Sequence, residues 1–230
     1  MTVYFIGYID VTCKFTFKWL QSPSSMSDTP SPFLFVAGHP AIDFINTAYA
    51  PGGALIETIG DGRALLDWMV GAGLLQEGES SALSRRFSRK ALDAAAQEAR
   101  AMREWARTWL AAWRANPTRD YGAEIAVLNK LLARETGSHE LVAIKRRFEL
   151  LERPRFSDAD TLVARIALEI ARVVVQEDSG LLKACAGADC TLWFMDRTKA
   201  HRRMFCSATA CGNRAKVAAF RRRAQRATTA

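Results

Sequence analysis

The sequence predicts a mainly α protein with a small β-hairpin, an α+β arrangement, in which a helical N-terminal part precedes a compact cysteine-bearing module. Three observations carry that prediction. Apolar residues recur every three or four positions in several long segments, the period of a helix facing a core. Between residues 139 and 156 the pattern changes toward the alternation of a half-buried strand pair. Four cysteines near the C-terminus are spaced C-x4-C-x15-C-x4-C.

Taken in order, residues 1–32 read as a leader and linker. Val3, Phe5, Tyr8, Val11, Phe15 and Phe17 have β character and suit an extra strand. There is no basic start to the stretch, and Asp10 interrupts it, so a secretory signal fits poorly. Met26 is the expected true start, with SDTPSP at 27–32 as a linker. Pro40 is placed to open a helix that carries Ala41, Ile42, Phe44, Ile45 and Ala48 inward until Pro51. ALIETI suits a short strand. Asp61 is a candidate N-cap for a helix burying Leu65, Leu66, Trp68, Met69 and Leu74. Ser88 is placed to cap a long helix to about Ala115, with Leu92, Ala95, Ala99, Met102, Trp105, Ala106, Trp109, Leu110 and Trp113 on its core face. Asn116-Pro117 ends it. Asp120 begins a further helix, with Ile125, Leu128, Leu131 and Leu132 inward and a stop at Gly137. A hairpin over 139–156 turns near Lys145–Arg147. Ser157 with Asp160 resembles a capping box for a helix through Glu177, its stripe Leu162, Ile166, Ile170 and Val173/Val174. Gly180 is a C-cap candidate and marks the boundary between a helical domain at 33–180 and a module at 181–230.

The module carries the strongest chemical signal. Cys185, Cys190, Cys206 and Cys211 offer two ligands on one turn and two on another, the supply a closed tetrahedral zinc site needs. Gly187 permits a tight first turn. TLWFMD (191–196) reads as a strand with Leu192 or Phe194 inward, RTKAHRR (197–203) as an exposed reversal, and Met204-Phe205-Cys206 as the returning strand. Ser207 caps a final helix to about Arg226, with Cys211 in its first turn. Knuckle, hairpin and ligand-bearing helix form a treble-clef-like zinc finger. Two disulfides would need an oxidising compartment, and a catalytic zinc usually keeps an open position and mixed ligands. One structural zinc on four cysteines is the expectation, with His201 a spare group in the reversal. A module of about 45 residues buries too little surface to fold unaided, so the metal is expected to hold it.

Charge sharpens this. The 230 residues have net charge +8 and are 49% hydrophobic. That excludes disorder over the whole length. No run of about 18 apolar residues is present, which excludes a membrane span. Residues 181–230 hold 11 of the 32 Lys and Arg and 2 of the 24 Asp and Glu, a net of +9; the first 180 residues stand at −1. Zinc with four thiolates adds −2, so Arg214 and Lys216 are candidates to compensate the centre. The remainder exceeds that need. Arg197, Lys199, Arg202 and Arg203 line the reversal; Arg221, Arg222, Arg223 and Arg226 crowd the last helix. There Val217 and Phe220 are expected to pack inward while Arg222 and Arg226 project outward. Clustered guanidinium groups on a rigid frame suit a phosphate backbone.

These residues resemble a known family. CGNR at 211–214, with Cys-x4-Cys before it, Leu-Trp-Phe-x-Asp at 192–196 and Arg-Arg-x-x-Cys at 202–206, is similar to the CGNR zinc finger. FVAGHPAIDFINT (35–47), followed by LLDWMVGAGLL, resembles the start of the ABATE domain that commonly precedes this finger. The resemblance covers about residues 33–222. It implies a bacterial, stress-induced transcription regulator, with Cys185, Cys190, Cys206 and Cys211 as ligands and Asn213 and Arg214 in the motif. The site chemistry suggests that these two bond to the thiolates or the finger backbone.

The expected function is therefore zinc-dependent binding of DNA in the cytoplasm. The finger would contact the duplex, and the helical domain would sense a small-molecule effector or form a homodimer. His39, Asp43, Asn46 and Thr47 are a candidate effector pocket; the competing reading has the last three bracing helix ends. The three histidines are isolated, and no nucleophile–base pair, phosphate loop or dinucleotide motif appears, so no enzyme is expected. RNA or ribosome binding, and a zinc-stapled module for an acidic protein partner, are the alternatives.

Overall fold

The computed structural model describes residues 33–50, 53–144 and 147–228. The expected leader strand and the tip of the hairpin lie outside these residues. Helix α1 (Pro40–Ile45) opens on Pro40, and His39 Nδ1 accepts the Ala41 N–H at 3.2 Å. It stops at Asn46, sooner than expected, and the chain turns into strand β1 (Ala48–Tyr49), which pairs antiparallel with β2 (Ile56–Glu57). Helix α2 (Gly62–Gly71) is capped by Asp61, whose Oδ1 accepts the Ala64 N–H at 2.9 Å. A Cβ on Gly62 would lie 2.3 Å from the Cβ of Leu92, so only glycine lets the start of α2 approach the next long helix.

Helix α3 (Glu77–Arg86) was not expected. It is polar, with Ser80 and Leu83 its buried residues, so it lacks the apolar stripe that reveals a helix. Its signal was the capping box, in which the Glu79 side chain accepts the Gln76 N–H at 2.8 Å. Helix α4 (Arg89–Ala115) follows from the Ser88 cap and ends at Asn116 as the periodicity requires. Its expected core face is buried except for Trp105, which is half-buried. Arg103 lies among these apolar residues, held by Glu57 and Thr47.

Helix α5 (Gly122–Leu132) buries Leu128 and Leu131 but leaves Ile125 exposed and stops before Gly137. Strands β3 (Thr136–Ile144) and β4 (Arg147–Arg155) pair antiparallel from Thr136↔Arg155 to Ile144↔Arg147. Helix α6 (Asp160–Gln176) buries Leu162, Ile166, Ile170 and Val173. Its cap differs from the expected box: Asp158, not Ser157, accepts the Thr161 N–H, at 3.1 Å. Gly180 does not cap α6 either. It sits in the 3-10 turn Ser179–Leu181 beyond it, bonded to Asp178.

The C-terminal part has two short strands, β5 (Leu182–Ala184) and β6 (Trp193–Met195), paired antiparallel. The returning segment Met204–Cys206 is not a strand: β5 takes one edge of β6, and Ala37 O and the Asn46 side chain take the other, so Met204 O instead accepts the Ala186 N–H. A π-helical turn at Ala208–Gly212, capped by Ser207, leads into α7 (Asn213–Thr228).

The buried side chains form one continuous core. Leu182, Leu192, Phe194, Met195 and the buried cysteines belong to the same cluster as Phe44, Trp68 and Ile166. Backbone and side-chain bonds cross the Gly180 boundary: Met195 N–H to Ala37 O at 2.8 Å, and Ala50 N–H to Thr191 Oγ1 at 2.9 Å. Asn46 makes the tightest link, donating to Trp193 O at 2.8 Å and accepting from Trp193 N–H at 2.9 Å.

Candidate metal centre and basic surface

The four sulfurs of Cys185, Cys190, Cys206 and Cys211 all lie within 4.8 Å of one another. Cys190 and Cys206 Sγ are 3.8 Å apart, Cys206 and Cys211 Sγ 3.6 Å. A disulfide needs about 2.05 Å; four sulfurs about 2.3 Å from a common centre sit about 3.8 Å apart. The sulfur set therefore fits a tetrahedral metal and not a pair of disulfides. The first knuckle follows β5 and the second precedes α7, so the β5–β6 ladder and the Ser207 cap fix the two halves of the site. Gly187 serves space rather than turn geometry. A Cβ there would come 3.2 Å from Cys190 Cβ and 3.3 Å from Cys211 Sγ.

Donors surround the sulfurs. The N–H groups of Cys206 and Gly187 point at Cys185 Sγ at 3.3 and 3.5 Å, and Arg214 Nη2 lies 3.0 Å from Cys211 Sγ. Such contacts spread thiolate charge. Burial and sulfur crowding push the Cys190 thiol up to about 11 without metal, and burial also raises Cys206. At Cys185 burial opposes ionisation, but the two N–H contacts together with the Cys190 and Cys206 side chains outweigh it and leave the thiol below its ordinary value. Metal binding must displace protons from such a set.

Two family models match the chain. One is the CGNR zinc finger, over residues 182–224; the other is ABATE, described as "Putative stress-induced transcription regulator", over residues 38–177. The chain belongs to the ABATE family. No curated protein matches it. The four cysteines fall inside the CGNR match and constitute one structural zinc site, formed by thiolate ligands alone. Neither family is one of enzymes. Among the described residues no helix is long and apolar enough to cross a membrane.

The basic residues of the CGNR finger divide into two groups. Some serve the finger itself. Arg214 faces Cys211. Arg203 donates to Phe205 O at 2.9 Å, to Val36 O at 3.0 Å and to Cys206 O, and lies over the Phe194 ring at 4.2 Å. Arg197 pairs with Glu177. Asp196, a motif residue whose role was not legible, organises the reversal. Its carboxylate accepts from Thr198, the Arg203 N–H at 2.9 Å and Lys183 Nζ at 2.6 Å. Burial alone would raise that carboxyl, but these donors, Lys183 foremost, hold it well below the usual carboxylate range. Asn213 is exposed and its side chain makes no hydrogen bond among the described residues.

The second group is open. Lys199, Arg202, Lys216, Arg221, Arg222, Arg223 and Arg226 are exposed, with no carboxylate partner among the described residues. Val217 and Phe220 are exposed too, at 49% and 67%, where inward packing was expected. The main contact of α7 is with the turn that leads into it, so among the described residues its later turns have little surface to pack on.

The four residues of the candidate effector pocket all lie in or beside α1 and are buried. Each has a bond that braces the ABATE fold: His39 caps α1, Asp43 Oδ1 accepts the Ala37 N–H at 2.9 Å, Asn46 holds β6, and Thr47 Oγ1 bonds Phe44 O and Arg103. Burial drives the His39 imidazole down to about 4, with Arg197 and Arg172 adding to the effect. Burial pushes the Asp43 carboxyl up to about 7 against the N–H bonds that favour its charge.

Proposed function

We propose that this ABATE protein is a cytoplasmic, zinc-dependent DNA-binding transcription regulator. In it, residues 181–230 contact the duplex and residues 33–180 receive the signal, through an effector or by pairing two copies. The observation that carries the reading is α7. It bears Arg221, Arg222, Arg223 and Arg226, all exposed and without acidic partners among the described residues, and the turn leading into it holds Cys211 of the metal centre. The zinc thus anchors a cationic helix to a rigid base, and a helix of this kind reaches phosphates on both sides of a groove. All-thiolate ligation suits a reducing compartment.

The test is recovery of fragmented genomic DNA by the zinc-loaded protein at physiological salt, followed by sequencing. One enriched motif supports a sequence-specific regulator. Equal recovery of all sequences, or preference for RNA, counts against it. Affinity should fall with salt at a log–log slope of about −0.9 per phosphate contact; a flat response would sink the idea.

A further inference from the structure

A cleft of about 580 Å³ opens between the end of α4 and the zinc finger. Its wall is cationic. Arg114 reaches it from the last turn of α4, Lys183 from β5, and Arg202 and Arg203 from the reversal, with Met204 beside them. Among the described residues no acidic side chain lines it. Lys183 is neutralised by Asp196. The other three are not. Arg203 donates only to carbonyl oxygens, which leave its charge uncompensated. Arg202 is exposed and makes no ion pair among the described residues. Arg114 has no carboxylate partner there either; its guanidinium is 5.6 Å from the centre of the Trp193 ring.

Three guanidinium groups without a carboxylate partner among the described residues thus line one concavity, and an anion is the ligand that would neutralise them. Two of them lie over aromatic rings, Arg114 over Trp193 and Arg203 over Phe194. Arg203 spends Nε and Nη2 on the carbonyls of Phe205, Val36 and Cys206 and keeps Nη1 for a ligand, whereas the guanidinium groups of Arg114 and Arg202 can fork onto phosphate oxygens. Small residues, Ala184 and Ala186, line the cleft beside them and leave room.

We infer that this cleft is a phosphate site in which Arg114 of the helical segment acts together with Arg202 and Arg203 of the finger, and that its ligand is a backbone phosphate of duplex DNA. The identity of the ligand rests on the DNA-binding reading above; the phosphate chemistry does not. The consequence is specific. The DNA footprint is not confined to the finger, and α4 touches the same duplex that α7 engages.

Fluorescence anisotropy of a labelled duplex, read across a salt series, tests this with wild type, Arg114→Gln, Arg222→Gln and Arg85→Gln. Arg85 is an exposed residue of α3 outside the cleft. Zinc content and melting are measured for each. Arg114→Gln should weaken binding roughly three- to ten-fold near 0.1 M salt and reduce the slope by about 0.9. Arg85→Gln should change neither, and zinc content should stay constant. If Arg114→Gln binds like wild type while Arg222→Gln is weakened, the cleft is not used and the DNA reading stands. If wild type binds no duplex, titration with inorganic pyrophosphate by calorimetry decides. Binding that disappears in Arg114→Gln and Arg202→Gln retains the phosphate site with a free phosphate as its ligand; no binding overturns the site as well.

Discussion

Asn46→Ala tests whether the finger is held by the helical segment or merely follows it. The Asn46 side chain is 2% exposed and exchanges two hydrogen bonds with one residue, Trp193, whose backbone belongs to β6. Alanine removes both partners at once. The Trp193 N–H and C=O are then left facing apolar surroundings, at about 1–3 kcal/mol each. Trp193 is half-buried, so water reaches part of the gap and the lower half of each range applies. The expected loss is about 2–4 kcal/mol. For a chain of this length that is a fall in Tm of roughly 4–16 °C. Urea unfolding of the zinc-loaded protein, followed by far-UV circular dichroism and by zinc release to a chromophoric chelator, gives the measurement. Both signals should shift to lower urea together, because β6 lies between α1 and the knuckle. A loss below about 0.5 kcal/mol, or zinc release that stays at the wild-type urea concentration, refutes the reasoning.

Gly187→Ala places a methyl 3.3 Å from Cys211 Sγ, so zinc affinity measured by chelator competition should fall by about tenfold, while α-helical signal is retained. Asp43→Asn addresses pH. A carboxyl raised to about 7 in the fold binds more protons there than in the unfolded chain. Its stabilising effect is complete below the unfolded value near 3.8 and is lost as pH rises through 7. The stability of Asp43→Asn relative to wild type should therefore rise by about 2–3 kcal/mol between pH 5 and pH 8, measured by urea unfolding; a constant difference would contradict it. Phe220→Ser on exposed α7 should change stability by less than about 0.5 kcal/mol, where a buried phenylalanine would cost several.

Local signals in the sequence were reliable where the structure obeys local physics. Asp61, Ser88 and Ser207 cap the helices they were assigned, because an oxygen two or three residues before an orphan N–H needs no distant partner. The four ligands were legible because each C-x4-C pair is local and two such pairs close together supply the four soft donors of a zinc site, although the β5–β6 ladder is what brings the two pairs together. What was not legible depends on contacts between distant segments. Nothing in the run DFINT shows that Asn46 meets Trp193, 147 positions away. Arg114, at the end of a helix whose stripe was read for its apolar face, reaches the finger only through the fold. The basic residues looked alike in the sequence, yet Arg203 and Arg214 are tied to the finger and Arg221–Arg223 are open. Val217 and Phe220 misled in the opposite sense: their spacing is that of a core face, and among the described residues the core does not extend to them.

The shared core also changes what the metal is expected to do. The sequence suggested a module that zinc alone holds. Structural zinc in small fingers contributes an apparent 10–16 kcal/mol or so. Here Leu182, Leu192, Phe194 and Met195 are buried against the helical segment as well. Four such side chains contribute about 6–12 kcal/mol of gross transfer energy, before the entropy of ordering the chain is subtracted. The two supports are comparable but act at different places. Apolar burial holds β5 and β6; the metal holds the knuckles and the entry to α7. Removal of zinc by a strong chelator should therefore divide the finger. The Met195 N–H, bonded to Ala37 O at 2.8 Å, and the Trp193 N–H, bonded to Asn46, should remain protected from hydrogen exchange. The N–H groups of Cys206 and Gly187, whose acceptor is Cys185 Sγ, should exchange freely. If Met195 and Cys206 lose protection together and to the same extent, the core does not hold β6 by itself, and the metal is the sole support of the finger after all.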